Sequence, residues 1–184
     1  MDPVDTLYDE HELILRFADL LAGAHVRIER GDLPPSAFFE KCVSFARSFV
    51  DEYHHFKEED VLFALLSQKA GQDLSGQLAL LRSQHDLGRA IVDQMARSIH
   101  GYGSQAAAKK DLLPDRLGAY TDLLRQHVQL EDRVILPLAR ESFTPEEVNH
   151  IAAQYEAERR RFGWGVFERG RKLLAEMGAL LTHT

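Results

Sequence analysis

The chain has a single cysteine, Cys42, in 184 residues. One thiol excludes a disulfide framework, a cysteine-rich zinc site and a cysteine-ligated iron–sulfur cluster within one chain. Proline (six) and glycine (12) are sparse and clustered, so little interrupts helix formers such as Ala, Leu, Glu, Arg and Gln. Basic residues are in deficit, 22 Lys and Arg against 29 Asp and Glu, for a formal net charge of -7. That balance argues against nucleic acid as the main partner, which would need a basic face. No apolar run reaches membrane-spanning length, and the opening MDPVDTLYDEH is acidic where a secretory leader would be basic and then apolar. The expectation is therefore no membrane contact and a cytoplasmic location. The residue in excess is histidine, with nine copies.

The length suits one domain with a real core, and 45% hydrophobic with 28% charged residues is ordinary for a globular chain. Turn signals predict five helices. The first runs from about Val4 to Arg30 and stops at Gly31-Asp32, with Pro34-Pro35 beyond. The second opens near Ser36 and ends before Gly71; the third spans about Leu74 to His100 and ends at Gly101-Tyr102-Gly103-Ser104. The fourth begins near Leu112, with Pro114 in its first turn, and ends near Phe143. Thr144-Pro145-Glu146-Glu147 then caps a fifth helix that reaches about Leu181. The predicted fold is all-α: an up-down-up-down four-helix bundle over about 4–143 with an accessory C-terminal helix over about 145–181, all within one domain, 1–184. The fifth helix, broken by Gly163, Gly165, Gly170 and Gly178, is read as packing across the bundle or against a second copy of the chain as a homodimer.

At 100° per residue, His11 shares a face with Val4, Leu7, Ala18 and Ala22. His85 lies with Leu74, Leu78, Leu81, Val92 and Ala96, and His127 with Tyr120, Leu123, Val134 and Leu138. Three inward histidines from three helices each need a polar partner, which a simple packed core does not supply. Helix two offers neighbouring pairs in HHFKEED, of which only one member of each can face inward on a regular helix. His54 shares a face with Val43, Val50, Val61 and Leu65, and Glu58 follows at i+4; His55 and Glu59 fall about 100° around, toward the rim. Helix four repeats the spacing with His127 and Glu131, while Asp132 points about 140° away from His127. Four neutral imidazoles and two carboxylates can supply two ions, with the carboxylates able to bridge. This donor mixture suits iron better than magnesium or calcium, which prefer oxygen shells.

The stretches DEHELILRFADLL, FVDEYHHFKEEDVLFALL, SQHDLGRAIVDQM and YTDLLRQHVQLEDRVILPLAR resemble the hemerythrin-like family, also called the HHE cation-binding domain. The resemblance implies an oxo- or hydroxo-bridged pair of iron ions held by His11, His54, Glu58, His85, His127 and Glu131, with the two glutamates as bridges. Oxygen-carrying members have a further histidine on helix three at HxxxH spacing. Here the positions one turn either side of His85 are Leu81 and Arg89. That shortage shifts the expected function from reversible oxygen carriage or storage to reaction with oxygen, nitric oxide or peroxide: sensing, detoxification or iron handling. A ferritin-like iron oxidase, marked by ExxH on two helices, is the rival reading through Glu52 with His55 and Glu147 with His150. Arg89 is read as an ion-pair partner or an anion holder beside His85, and His25, about 21 Å of helix rise from His11, as structural.

Overall fold

A computed structural model describes residues 2–69, 71–99 and 113–182, and the described residues form helices without a strand. His100, His183 and the expected turn at Gly101–Ser104 lie outside the described residues. Helix α1 is Pro3–Glu29; the Asp2 carboxylate accepts from the Val4 amide at 2.8 Å, and Pro3 costs no hydrogen bond at the first position. Gly31, at φ +83°, turns the chain out of α1 through a conformation that strains residues with a Cβ.

Helix α2 is continuous over 36–69: Ser36–Phe45 is α-helical, Ala46–His55 and Lys57–Leu62 are π-helical, and Phe63–Lys69 returns to α. Helix α3 is Gln72–Ile99. Helix α4 covers 113–142 as Leu113–Leu130, a π-helical Glu131–Ile135 and Leu136–Ser142. The first four helices alternate in direction. Along α1 and α4, His25 meets the Pro114 carbonyl at 2.9 Å while Tyr8 meets the Asp132 carbonyl at 3.2 Å. Along α2 and α3, Arg47 pairs with Asp93, Asp51 with Arg89, and Glu59 with His85.

The C-terminal segment is two helices rather than one. Thr144 and Glu147 form a reciprocal capping box that starts α5, Pro145–Phe162. Gly163, at φ +86°, ends it, and α6 follows at Val166–Thr182. Helix α6 buries Val166, Gly170, Leu174 and Met177 against its own bundle. A Cβ on Gly170 would stand 3.2 Å from the Phe49 ring, so the glycine permits this close approach. The accessory segment therefore packs across the bundle.

Two apolar clusters fill the interior. One contains Phe17, Phe38, Phe39, Phe45, Phe49 and Met95; the other contains Leu7, Leu62, Phe63, Leu66, Leu81 and Leu136. Each fully buried side chain of this size contributes roughly 1.5–3 kcal/mol. Between the two clusters lies a band of buried polar side chains. The π-helical stretches fall at this band, and they shift the buried face by one residue. Beyond Glu131 the sequence pattern places Val134 and Leu138 inward, but the buried residues are Ile135 and Ala139. Beyond Glu58, Leu66 is buried and Leu65 is only half-buried.

Candidate metal centre

All six predicted residues are in the band: His11 from α1, His54 and Glu58 from α2, His85 from α3, and His127 and Glu131 from α4, each no more than 3% exposed. A seventh joins them. His55, placed at the rim by a regular helix, is buried and stacks on His85 with ring centroids 3.7 Å apart. The reason is the i→i+5 bonding of the π-helix that carries His54 and His55. Its wider turn reduces the angle between neighbours, so both rings reach the interior. Only the shortage of histidine on α3, beside an unassigned histidine on α2, hinted at this in the sequence.

The side chains divide into two donor groups. One is His11, His54, Glu58 and Glu131; the other is His55, Glu58, His85 and His127. Glu58 belongs to both. Its Oε1 lies 3.0 Å from His54 Nε2 and 3.5 Å from His11 Nε2, and its Oε2 lies 3.4 Å from His85 Nε2. Glu131 Oε2 stands 3.3 Å from His11 Nε2 and 3.2 Å from His127 Nε2, again between the groups.

All five imidazoles turn the same way, Nε2 inward and Nδ1 toward an acceptor. His11 Nδ1 meets Asp132 at 2.6 Å, His54 Nδ1 meets Glu10 at 2.9 Å, and His55 Nδ1 meets Asp51 at 3.3 Å. His85 Nδ1 meets Glu59 at 2.6 Å, and His127 Nδ1 meets the Gln84 side-chain oxygen at 3.0 Å. Asp132 and Glu59 thus act behind the histidines, as their rotation away from the interior requires. A ring that donates from Nδ1 presents a lone pair at Nε2. His11 Nε2, His54 Nε2 and both oxygens of Glu58 and Glu131 are buried without a hydrogen-bond partner. His85 Nε2 and His127 Nε2 are 3.0 Å apart, a repulsive contact between lone pairs unless a proton or a cation lies beside it. Orphaned acceptors this deep cost several kcal/mol in aggregate, and a bound cation removes that cost. The residues present fit a metal.

The surrounding carboxylates draw positive charge to the centre of the band. Burial pushes the His11 imidazole toward neutrality, yet its hydrogen bond to Asp132 and the nearby Glu131 and Glu58 carboxylates hold it well above its usual range. His127 is likewise depressed by burial but raised overall, to about 9, by Glu131 and Glu58. Burial pushes Glu58 up, and the facing His54, His11 and His127 outweigh it, so its carboxyl sits well below the usual range. His55 differs: burial and the neighbouring His85 push it down to about 3, leaving a neutral ring.

Residues 2–139 match the hemerythrin HHE cation binding domain. The chain belongs to the hemerythrin family. Uncharacterized proteins of Mycobacterium tuberculosis and Mycobacterium bovis are each 27% identical over 165 residues, 89% of this chain and 64% of the relative. The iron-sulfur cluster repair protein YtfE of Salmonella paratyphi B is 26% identical over 88 residues, 47% of this chain and 40% of that protein. The chain thus spans less than two thirds of these curated relatives. No solved structure matches it. Among the described residues no helix is long and apolar enough to cross a membrane.

The remaining candidates fall outside the band. Glu147 is taken by the Thr144 amide and Lys69, His150 is exposed beside Gln154, and Glu52 is exposed. These do not converge as a ferritin-like pair would. His25 is half-buried on the Pro114 carbonyl. Arg89 is an ion-pair residue: it donates to Asp51 at 2.8 Å, Glu59 at 2.5 Å and Asp86 at 2.8 Å.

Proposed function

We propose that this hemerythrin-like chain holds two iron ions, one by His11, His54, Glu58 and Glu131, the other by His55, His85, His127 and Glu58, and that the pair reacts with oxygen, nitric oxide or peroxide. The observation that carries the reading is the common orientation of the five imidazoles, each Nδ1 held from outside, with His11 Nε2, His54 Nε2 and the inward carboxylate oxygens left without a partner. Reduced iron supplies the electrons and an exchangeable position for such a ligand. Each group offers four side-chain donors, fewer than the six of an octahedral ion, which leaves room for an exchangeable position. Anaerobic titration of the metal-depleted protein with ferrous iron is expected to saturate at about two per chain. Saturation at one, or no uptake, overturns the two-iron reading.

Four of the five imidazoles are backed by a carboxylate, from Asp132, Glu10, Asp51 or Glu59. Such backing makes the ring a stronger donor, and with Glu58 and Glu131 it favours the more highly charged, ferric state. We therefore expect the reduced protein to oxidise on exposure to air, and not to return to the ferrous state under argon. The name of YtfE, iron-sulfur cluster repair protein, is in keeping with iron chemistry of this kind. One observation favours the second reading, reversible oxygen carriage: His55 supplies the fifth imidazole that α3 lacks. Repeated cycling between air and argon, followed by ligand-to-iron absorption, separates the two. Full ferrous recovery over many cycles without reductant establishes the carrier.

A further inference from the structure

We infer that Lys57 is a positioning residue for the metal pair: it orients the Glu10 carboxylate behind His54 and raises the reduction potential of the iron bound by the two-histidine group. The inference rests on the two-iron reading above. Lys57 is 0% exposed. Its ammonium is ion-paired to Glu10, also 0% exposed, and sits 3.2 Å from the centre of the Tyr53 ring. The Tyr155 hydroxyl donates to the Lys57 carbonyl at 3.3 Å and closes the site from α5. An aliphatic side chain would fill this space without the desolvation cost of an ammonium. What the ammonium alone provides is positive charge.

That charge has one direct recipient. One oxygen of Glu10 takes the ammonium and the other takes His54 Nδ1, at 2.9 Å. A buried carboxylate behind a ligating imidazole makes the ring a stronger donor and stabilises ferric iron. Lys57 on its other oxygen offsets that negative charge. The ammonium also acts directly, since positive charge near the pair in a water-poor interior disfavours the more positive oxidised state. Both effects raise the potential. The second group has a counterpart in Arg89, which pairs with both Asp51 and Glu59 behind His55 and His85. However, Arg89 is about a third exposed where Lys57 is sealed. The two metal positions are therefore tuned separately.

The test is an anaerobic redox titration of the iron-loaded protein with iron content measured alongside, comparing Lys57→Met, Glu10→Gln and the double variant. At fixed potential, Lys57→Met is expected to shift the ferric-to-ferrous ratio about tenfold or more toward ferric. Glu10→Gln, which keeps an acceptor for His54 but leaves the ammonium unbalanced, is expected to shift it the other way, and the double variant to return near the parent. Full iron content with an unmoved potential in Lys57→Met, or the same sign of shift in both single variants, overturns the inference. Where Lys57→Met does not hold iron, the sign found for Glu10→Gln decides it. Failure of the parent to bind two irons strikes the two-iron reading instead.

Discussion

Glu58→Ala is expected to reduce iron content from about two per chain to near zero and to lower the melting temperature of the iron-loaded protein on the order of 10 °C. Glu58 is the one residue common to both donor groups, with Oε1 toward His54 and His11 and Oε2 toward His85 and His127. Removing it takes a donor from each position at once. It also removes the negative charge that four inward imidazoles face, and stranding buried charge costs about 3–5 kcal/mol. At about 2–4 °C per kcal/mol for a domain of this size, the melting shift follows. Glu52→Ala is the control: Glu52 is exposed on the same helix, and iron content should not change. Metal analysis with calorimetry reads both quantities. A Glu58→Ala protein that keeps one iron per chain shows that the carboxylate serves a single position.

The positions of His11, His85 and His127 were legible because α1, α3 and the first part of α4 are regular, so 100° per residue carries each inward face correctly. His54 with Glu58 was legible from one turn of the same arithmetic. The errors begin where the helix changes its hydrogen bonding. The π-helical stretches at Ala46–His55, Lys57–Leu62 and Glu131–Ile135 have no periodic signature of their own. Their effect is the one-residue slip from Val134 to Ile135 and the inward turn of His55. The acceptors behind the imidazoles were hidden for a different reason. Asp132 reaches His11 from another helix, 121 positions away in sequence, and a wheel drawn on one helix says nothing about its neighbour. Lys57 is the extreme case: a lysine in a charged HHFKEED run reads as solvent-facing, yet it is sealed between α1, α2 and α5. The division of the C-terminal segment was half visible. Gly163 and Gly165 marked a break in the pattern, and the positive φ of Gly163 turns that break into a helix end.

His55→Ala is expected to lower iron content from about two per chain to about one, with loss at the position shared with His85 and His127. On a regular helix this side chain would lie at the rim and its removal would leave the iron in place. In the structure its ring lies against that of His85, its donor atom falls in the second group, and burial beside His85 keeps it neutral at physiological pH, ready to ligate without first losing a proton. Its loss leaves two imidazoles and the Glu58 carboxylate for that position, while His11, His54, Glu58 and Glu131 still serve the other. The neighbouring variant Glu59→Ala makes the contrast. Glu59 orients His85 from behind at 2.6 Å and is not among the inward donors. Removing such a partner typically weakens metal affinity about 10–100-fold, and the stoichiometry should remain two at saturating iron. Titrations of both variants with ferrous iron, monitored by bound metal after desalting, separate the roles. If His55→Ala saturates at two with the parent's affinity, His55 is only a packed neighbour of His85, and the second position is completed by some other group.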